Sequence, residues 1–195
     1  MLRHLNPERY GGPRDASSAC GIARRRFRKA DAMTVTIQPF TDVLAPHFHT
    51  INAAWISTMF ALEPHDEEVL ADPRGFIVDR GGEVLFAVAP DGGVIGAGAL
   101  MPTAPGCVEL TKMGVLEAAR GTGAGGLLLA ALIEHARAMP GVDTLYLLTN
   151  HRCAAAVHLY EKAGFRHDAA IMARFGGDYA RCDVAMRCPL EKTDA

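Results

Sequence analysis

Two groups of residues in the middle of the chain could bind and transform a phosphate-bearing substrate. The first is a glycine-rich turn, Arg120-Gly121-Thr122-Gly123-Ala124-Gly125-Gly126, and the second is a later segment that contains Tyr160. Glycines at a helix start let backbone N–H groups approach an anion, and the positive end of the helix adds to the attraction. We therefore predict that the turn holds phosphate and that the tyrosine is a candidate proton donor.

The turn is placed by elements that can be predicted from residue patterns. A largely apolar strand is expected from Val108 to Leu116, directly before the glycines. A helix follows from Leu127 to about Met139, where Pro140 and Gly141 stop it. A second strand, 144–149, and a second helix come next, so the segment has the order strand, helix, strand, helix.

The residues after the turn limit which phosphate-bearing ligand the turn could bind. Gly121, Gly123 and Gly126 satisfy the dinucleotide pattern G-x-G-x-x-G. A dinucleotide site, however, requires an acidic residue at the end of the next strand, where this chain has Asn150. No Lys-Ser or Lys-Thr pair succeeds the glycines, which excludes a Walker loop. A glycine-rich turn without any ligand stays open as an alternative.

The same residues resemble a known family. The run from Arg120 to Gly125 is similar to the acetyl-CoA signature of the GCN5-related N-acetyltransferases (GNAT), which reads Gln or Arg, two residues, Gly, one residue, Gly or Ala. The segment from Ala156 to Phe165 resembles the second signature of that family, A-x-x-L-Y-E-K-x-G-F. Two signatures in the expected order are far more specific than either alone.

The resemblance implies a binding site for acetyl-CoA as co-substrate. It assigns contacts with the cofactor to Met113, Val115, Arg120, Gly121, Thr122, Gly123, Ala124, Gly125, Gly126, Asn150 and Tyr160. The strand before the turn is expected to splay from its neighbour and to pair with the pantetheine arm. Asn150 is the least typical of these residues, because it lies further from Tyr160 than is usual, and capping of the next helix is its alternative role.

Two residues are predicted to move protons. The resemblance implies that Tyr160 protonates the departing CoA thiolate; a core aromatic residue is the alternative. The attacking amine must be neutral, and Glu109 is the first candidate to take its proton, against a surface glutamate at a strand start. His158 is a second candidate base, although residues two apart on a helix face different directions, which separates it from Tyr160.

The acceptor is expected to bind near the first long helix. Trp55, Met59 and Glu63 are the predicted substrate-binding residues, with Phe60, His65, Phe175 and Tyr179 as further candidates. A core-facing stripe is the alternative explanation for the aromatic and Met residues. The acids among residues 63–68 favour an amine that carries positive charge.

Charge divides the chain into two parts. Residues 1–32 contain eight Arg or Lys against three acidic residues, whereas the whole chain has a formal net charge of −2. We interpret 1–32 as a separate extension: a disordered arm, a transit peptide, or, as we favour, a stretch upstream of a true start at Met33. Residues 33–195 are predicted to form a single domain.

The remaining composition favours a cytoplasmic protein without metal. The five cysteines form no C-x-x-C pair, and the eight histidines show no familiar zinc spacing. The longest apolar run is too short to span a bilayer. Neither a membrane nor a nucleic-acid partner is expected, and a homodimer is one of the open oligomeric states.

The expected fold is an α/β (α+β) domain with a mixed, mostly antiparallel sheet of about seven strands and helices on both faces. Strands are predicted at 35–40, 84–89, 94–101, 166–172 and 182–190 besides those above, and helices at 44–62 and 64–71, with a looser segment at 174–181.

The expected function is transfer of an acetyl group from acetyl-CoA to a primary amine of a small molecule by direct attack, without a covalent acyl-enzyme. A peptide or protein N-acetyltransferase and a non-catalytic acyl-CoA sensor are the alternatives.

Overall fold

The computed structural model of the protein describes residues 35–190, so the predicted extension 1–32 lies outside the described residues. One sheet contains the seven strands β1 (Thr36–Pro39), β2 (Glu83–Val88), β3 (Val94–Ala104), β4 (Cys107–Val115), β5 (Thr144–Thr149), β6 (Arg166–His167) and β7 (Val184–Pro189). The α-helices of this part of the chain are α1 (Ala45–Met59), α2 (Pro64–Ala71), α3 (Pro73–Phe76), α4 (Ala124–Ala138), α5 (Ala154–Lys162) and α6 (Ala169–Phe175).

The sheet order is β1-β2-β3-β4-β5-β7-β6, and within the described residues every pair is antiparallel except β4 and β5. This parallel pair is short, because 107–109 of β4 pairs with 144–146 of β5 and the two strands then separate. β4 continues to Val115 and β5 to Thr149. The predicted mixed sheet with a splayed central pair is confirmed.

Helices cover both faces of the sheet. On one face α1 and α2 bury Phe48, Ile56 and Val69 against Phe86 of β2. On the other face α4 and α5 pack against strand residues in a cluster that includes Leu128, Leu132, Leu85, Leu110, Tyr160 and Phe165. The amphipathic patterns of these helices follow from this placement, since each buries one apolar face.

One predicted strand is wrong. The expected strand at 166–172 ends after His167, and α6 occupies most of the rest. The carboxylate of Asp168 caps the helix by accepting hydrogen bonds from the N–H groups of Ala170 and Ile171, at 2.9 and 3.1 Å. The Ala and Met residues of α6 are good helix formers, so the cap and the propensity outweigh the apolar run.

A β-bulge interrupts β4 beside β3. Ala97 pairs with Gly114 and Ala99 with Thr111, so the single residue Gly98 faces the two residues Lys112 and Met113. Lys112 has a left-handed backbone, with φ of 48°. Because a bulge shifts the alternation of side chains by one, we infer that Lys112 shares a face with Thr111 instead of opposing it.

The bulge places Lys112 in a cluster of charged side chains, which we define as Glu63, Asp66, Lys112 and Arg181 and in which Asp66 and Lys112 are buried. The ammonium of Lys112 donates to Asp66 Oδ1 at 2.8 Å, and Arg181 donates to both Asp66 oxygens at 2.6 and 2.9 Å. Arg181 also donates to Glu63 Oε1 at 2.9 Å. Lys112 donates a further hydrogen bond to the hydroxyl of Tyr179 at 3.2 Å. The cluster joins α2, β4 and the segment before β7.

Asp66 is the centre of this cluster and is fully buried. Burial opposes its ionisation, but hydrogen bonds from Arg181 and Lys112, the charge of Lys112 and the Glu63 N–H outweigh burial and lower the pKa of Asp66 to about 2. Its carboxylate therefore stabilises the folded state above its ordinary pKa of 3.8, and this contribution is lost as the pH falls through about 2.

We predict that Asp66→Asn lowers the free energy of unfolding by about 3 to 5 kcal/mol at neutral pH, because the buried Lys112 and the half-buried Arg181 lose their shared counter-charge. Urea unfolding measures this, and the difference from the wild type should shrink as the pH falls from 4 towards 2. Asp42→Asn is the matched control, since that carboxylate pairs with Arg74 in solvent. Equal effects of the two substitutions would contradict the prediction.

Gly114 in β4 is required by the packing of α1. A Cβ added to Gly114 would lie 2.5 Å from Cδ1 of Trp55, and the indole N–H is held by Asn52 Oδ1 at 2.8 Å. We expect Gly114→Ala to lower the free energy of unfolding by about 1 to 3 kcal/mol through overpacking, measured by urea unfolding.

Gly126→Ala is the matched control for this prediction, because the space around Gly126, in the first turn of α4, holds no heavy atom within 4 Å of the added Cβ. Alanine favours the helix there, so the control variant should be as stable as the wild type or more so. If Gly114→Ala had the same free energy of unfolding as the wild type, Trp55 would move aside without destabilising the fold, which would contradict the prediction.

Candidate active site

A cavity of about 770 Å³ opens where β4 and β5 separate. Residues of α1, β4, the glycine turn, β5 and α5 form its wall. The sequence-predicted residues that line it are Trp55, Met59, Phe60, Glu109, Met113, Val115, Arg120, Gly121, Gly123, Gly125, Gly126, Asn150, His158, Tyr160 and Tyr179. The structure thus brings most of the predicted site residues around one space.

The glycine turn presents free backbone donors to this cavity. Gly121 and Gly123 have left-handed φ of 76° and 96°. The first backbone hydrogen bond of α4 runs from the N–H of Leu127 to the carbonyl of Gly123, at 3.0 Å, so the N–H groups of Gly125 and Gly126 have no partner within the helix. No heavy atom lies within 4 Å of a Cβ added at Gly121 or Gly126. This open set of donors fits a pyrophosphate.

Two predicted cofactor residues lie behind the turn instead of in the cavity wall. Thr122 and Ala124 are buried. The hydroxyl of Thr122 donates to the carbonyl of Ala119 at 2.7 Å and accepts from the N–H of Ala124 at 3.3 Å. These bonds hold the shape of the glycine turn, residues 120–126, which we call the cradle. The two residues therefore support the cradle from behind.

Glu109 lies at the point where the strands separate. It is only 2 % exposed and pairs in register with Tyr146 of β5. Burial raises the pKa of Glu109 to about 7, although the positive charge of Lys112 and a hydrogen bond with Thr111 act in the opposite direction. A carboxyl group that titrates near neutral pH can both take and release a proton under ordinary conditions.

Tyr160 reaches the cavity from α5. Its side chain is 7 % exposed and packs against Phe165, with ring centroids 5.8 Å apart and planes tilted by 57°. Burial raises the pKa of Tyr160 above its ordinary value, so the hydroxyl keeps its proton at neutral pH. Tyr160 therefore packs in the core, as expected of an aromatic residue, and it also lines the cavity.

Asn150 connects two loops at the cavity. Its amide N–H donates to the carbonyl of Arg181 at 2.7 Å, and its side-chain oxygen accepts from the N–H of Arg152 at 2.9 Å. Cys153, not Asn150, is the residue that precedes α5, so the alternative role of Asn150 as the helix cap is wrong. Asn150 ties the turn after β5 to the segment before β7.

The predicted acceptor residues divide into two groups. Trp55 and Met59 line the cavity, together with Phe60 and Tyr179. Glu63 does not, because its carboxylate accepts from Arg181 and from the N–H of Ala180. The further candidates His65 and Phe175 also lie outside the wall, and the ring of Phe175 stacks on Tyr146 with centroids 4.4 Å apart.

Besides Lys162, which lies within the second signature, three basic residues in the cavity wall were not foreseen from the sequence: Lys112, Arg152 and Arg181. No sequence motif or residue spacing near these three residues predicts that they line the cavity. Lys112 depends on the bulge in β4, and Arg181 depends on carboxylates more than a hundred residues earlier in the chain. Only the three-dimensional contacts identify them.

The described residues offer neither a cluster of metal ligands nor a helix that could cross a bilayer. Among residues 35–190, no group of three or more His, Cys, Asp or Glu side chains is arranged to hold a metal ion. No helix in this part of the chain has the length and apolar character that a membrane span requires.

Known proteins share both the sequence pattern and the fold. The acetyltransferase (GNAT) family matches residues 48–165. An uncharacterized N-acetyltransferase of Bacillus subtilis, YvbK, is 36 % identical over 110 residues, which cover 55 % of this chain and 70 % of that protein.

Two solved structures share the fold. A GNAT acetyltransferase of Staphylococcus aureus Mu50 has a TM-score of 0.72 at 17 % identity, covering 80 % of this chain and 99 % of its own. The acetyltransferase yncA of Salmonella typhimurium, solved with acetyl-CoA, has a TM-score of 0.62 at 23 % identity and covers 83 % and 96 %. The family match spans more than half of the chain, so the protein belongs to the GNAT family and is an acyl-CoA-dependent N-acyltransferase.

Proposed function

We propose that the protein transfers the acetyl group of acetyl-CoA to a primary amine of a small molecule by direct attack, with Glu109 as general base and Tyr160 as general acid. The observation that carries this proposal is the buried Glu109, which faces the same cavity as Tyr160 and the glycine turn. The concave shape of the cavity, with a volume of about 770 Å³, favours a small acceptor over a protein surface.

Acetyl-CoA supplies the activated acetyl thioester, and the residues of the chain move the protons. Glu109 takes a proton from the ammonium form of the acceptor and later releases it to solvent, and the neutral amine forms the C–N bond and loses its second proton. Tyr160 donates its proton to the sulfur as the C–S bond breaks, and solvent restores the proton of Tyr160. The raised pKa of Tyr160 keeps the hydroxyl protonated until negative charge develops on sulfur.

The amides at the glycine turn and the backbone of β4 are the proposed cofactor contacts. β4 beyond Glu109 has no partner on the β5 side, so its N–H and carbonyl groups near Met113 and Val115 are available to an extended ligand arm. The N–H groups of Gly125 and Gly126 and the guanidinium of Arg120 surround the proposed pyrophosphate position.

We predict that Gly123→Val removes most of the stabilisation by acetyl-CoA, because the side chain enters the cradle and disfavours its left-handed backbone. Thermal unfolding measures this: the wild type should gain about 2.7 kcal/mol at a hundredfold excess over Kd. Gly141→Val is the matched control, since Gly141 also has a left-handed φ, of 75°, but lies at the turn after α4. A full response to acetyl-CoA in Gly123→Val would remove the proposed cradle.

We predict that kcat/KM of the wild type falls tenfold per pH unit below about pH 7, because protonated Glu109 cannot accept the amine proton. Release of CoA thiol measures the rate. Glu109→Gln should lower kcat by about 10²-fold or more and lose this dependence, whereas Tyr160→Phe should lower kcat by a similar factor and keep it. An acidic limb that survives in Glu109→Gln would assign the base to another group, with His158 as the next candidate.

A further inference from the structure

The charged side chains of the cavity wall are mostly basic. They comprise one acidic residue, Glu109, and five basic residues, Lys112, Arg120, Arg152, Lys162 and Arg181. The acids of residues 63–68, which favoured a cationic acceptor in the sequence, therefore do not set the charge of this wall.

Ion pairs with carboxylates outside the wall neutralise two of these five basic residues. Within the charge cluster, Lys112 and Arg181 are neutralised by Asp66 and Glu63 through bonds of 2.6 to 2.9 Å. The cluster as a whole carries no net charge, so it attracts neither a cation nor an anion strongly.

Arg120, Arg152 and Lys162 are different, because no ion pair with a carboxylate of the described residues neutralises them; of these three, Arg152 is the one that lies over the predicted acceptor residue Phe60. No carboxylate among residues 35–190 forms an ion pair with Arg152. The nearby Asp183 is bound instead by His151, through the backbone N–H at 2.7 Å and through the imidazole. The guanidinium of Arg152 is a free positive charge at the rim of the cavity.

The position of this guanidinium is defined by an aromatic ring. Its carbon lies 4.9 Å from the ring centroid of Phe60, which directly follows α1, and Arg181 approaches the same ring at 6.0 Å. Stacking uses the flat face of a guanidinium and leaves the in-plane N–H donors available for an oxyanion. Arg152 thus stands beside the predicted acceptor residue Phe60 and near Arg181 of the charge cluster, whereas Arg120 belongs to the glycine turn.

We propose that the acceptor is an amine that also carries a carboxylate, with the amine directed to Glu109 and the carboxylate bound by Arg152. This rests on the proposed acetyl transfer at Glu109. The strand geometry sets the separation: Glu109 pairs with Tyr146, and β5 then rises by about 10 Å to Thr149 before the turn that holds Arg152. The amine and the carboxylate are therefore several bonds apart, as in an ω-amino acid.

The test compares three amines of equal chain length whose far ends differ in charge: 6-aminohexanoate, hexylamine and 1,6-diaminohexane. CoA thiol release gives kcat/KM for each. The wild type should prefer 6-aminohexanoate over 1,6-diaminohexane by about tenfold or more, as expected for a charge-assisted hydrogen bond. Arg152→Gln should abolish this preference, and Arg152→Glu should reverse it.

Arg80→Gln is the matched control, because Arg80 stacks on Phe76 at the same 4.9 Å but lies outside the cavity. It should keep the wild-type preference. A preference that is unchanged in Arg152→Gln, or a wild type that favours the diamine, overturns the acceptor class while leaving acetyl transfer intact. A higher KM for acetyl-CoA in Arg152→Gln, with the amine preference unchanged, would assign Arg152 to the cofactor and equally overturn it.

Failure of the acetyl transfer itself is recognised separately. In that case acetyl-CoA does not raise the unfolding temperature and no amine releases thiol. If acetyl-CoA stabilises the protein but none of the three amines reacts, the same amines are compared by thermal unfolding in the presence of CoA. A stabilisation by 6-aminohexanoate that exceeds the others and is lost in Arg152→Gln supports the proposal, and equal shifts overturn it.

Discussion

The ion pair between Lys112 and Asp66 is the interaction on which the proposed acceptor half of the cavity depends. Both side chains are buried, and a lone charge at either position would cost several kcal/mol. To reach Asp66, β4 adopts the bulge and gives Lys112 a left-handed backbone, which costs about 1 to 3 kcal/mol. The pair and the additional bonds from Arg181 offset that cost, and they fix α2 and the segment before β7 against the sheet.

The bulge also determines which β4 side chains face which layer. Before it, Leu110 packs towards α4 while Glu109 faces the opposite layer; after it, Met113 and Val115 face α4 and Gly114 faces Trp55 of α1. Gly98 of β3 lies opposite the bulge, where a Cβ would stand 2.8 Å from Leu132. A strand without the bulge would turn Lys112 into the apolar layer, so one extra residue keeps the charged and apolar faces of β4 separate.

The parts of the fold that could be predicted from the sequence are those with local causes. The bounds of α2 and β5 follow from Pro64 and from a short apolar run, and the glycine turn follows from residue types that favour left-handed backbone. The strand predicted at 166–172 failed because a single capping residue, Asp168, redirects the chain into a helix. The bulge could not be predicted at all, since it reflects pairing with β3 and a charge on α2.

The same distinction separates the two halves of the cavity. The proposed cofactor half uses backbone N–H groups, whose positions depend on neighbouring residues, so a short stretch of sequence is enough to predict it. The proposed acceptor half uses the charges that remain unpaired after ion pairs form between distant segments. The acids of residues 63–68 illustrate this: in the sequence they indicate a negative site, but Glu63 and Asp66 are already bound to Arg181 and Lys112. In the proposed acceptor site the charge available to the acceptor is that of Arg152, whose guanidinium lies over a phenylalanine from another part of the chain.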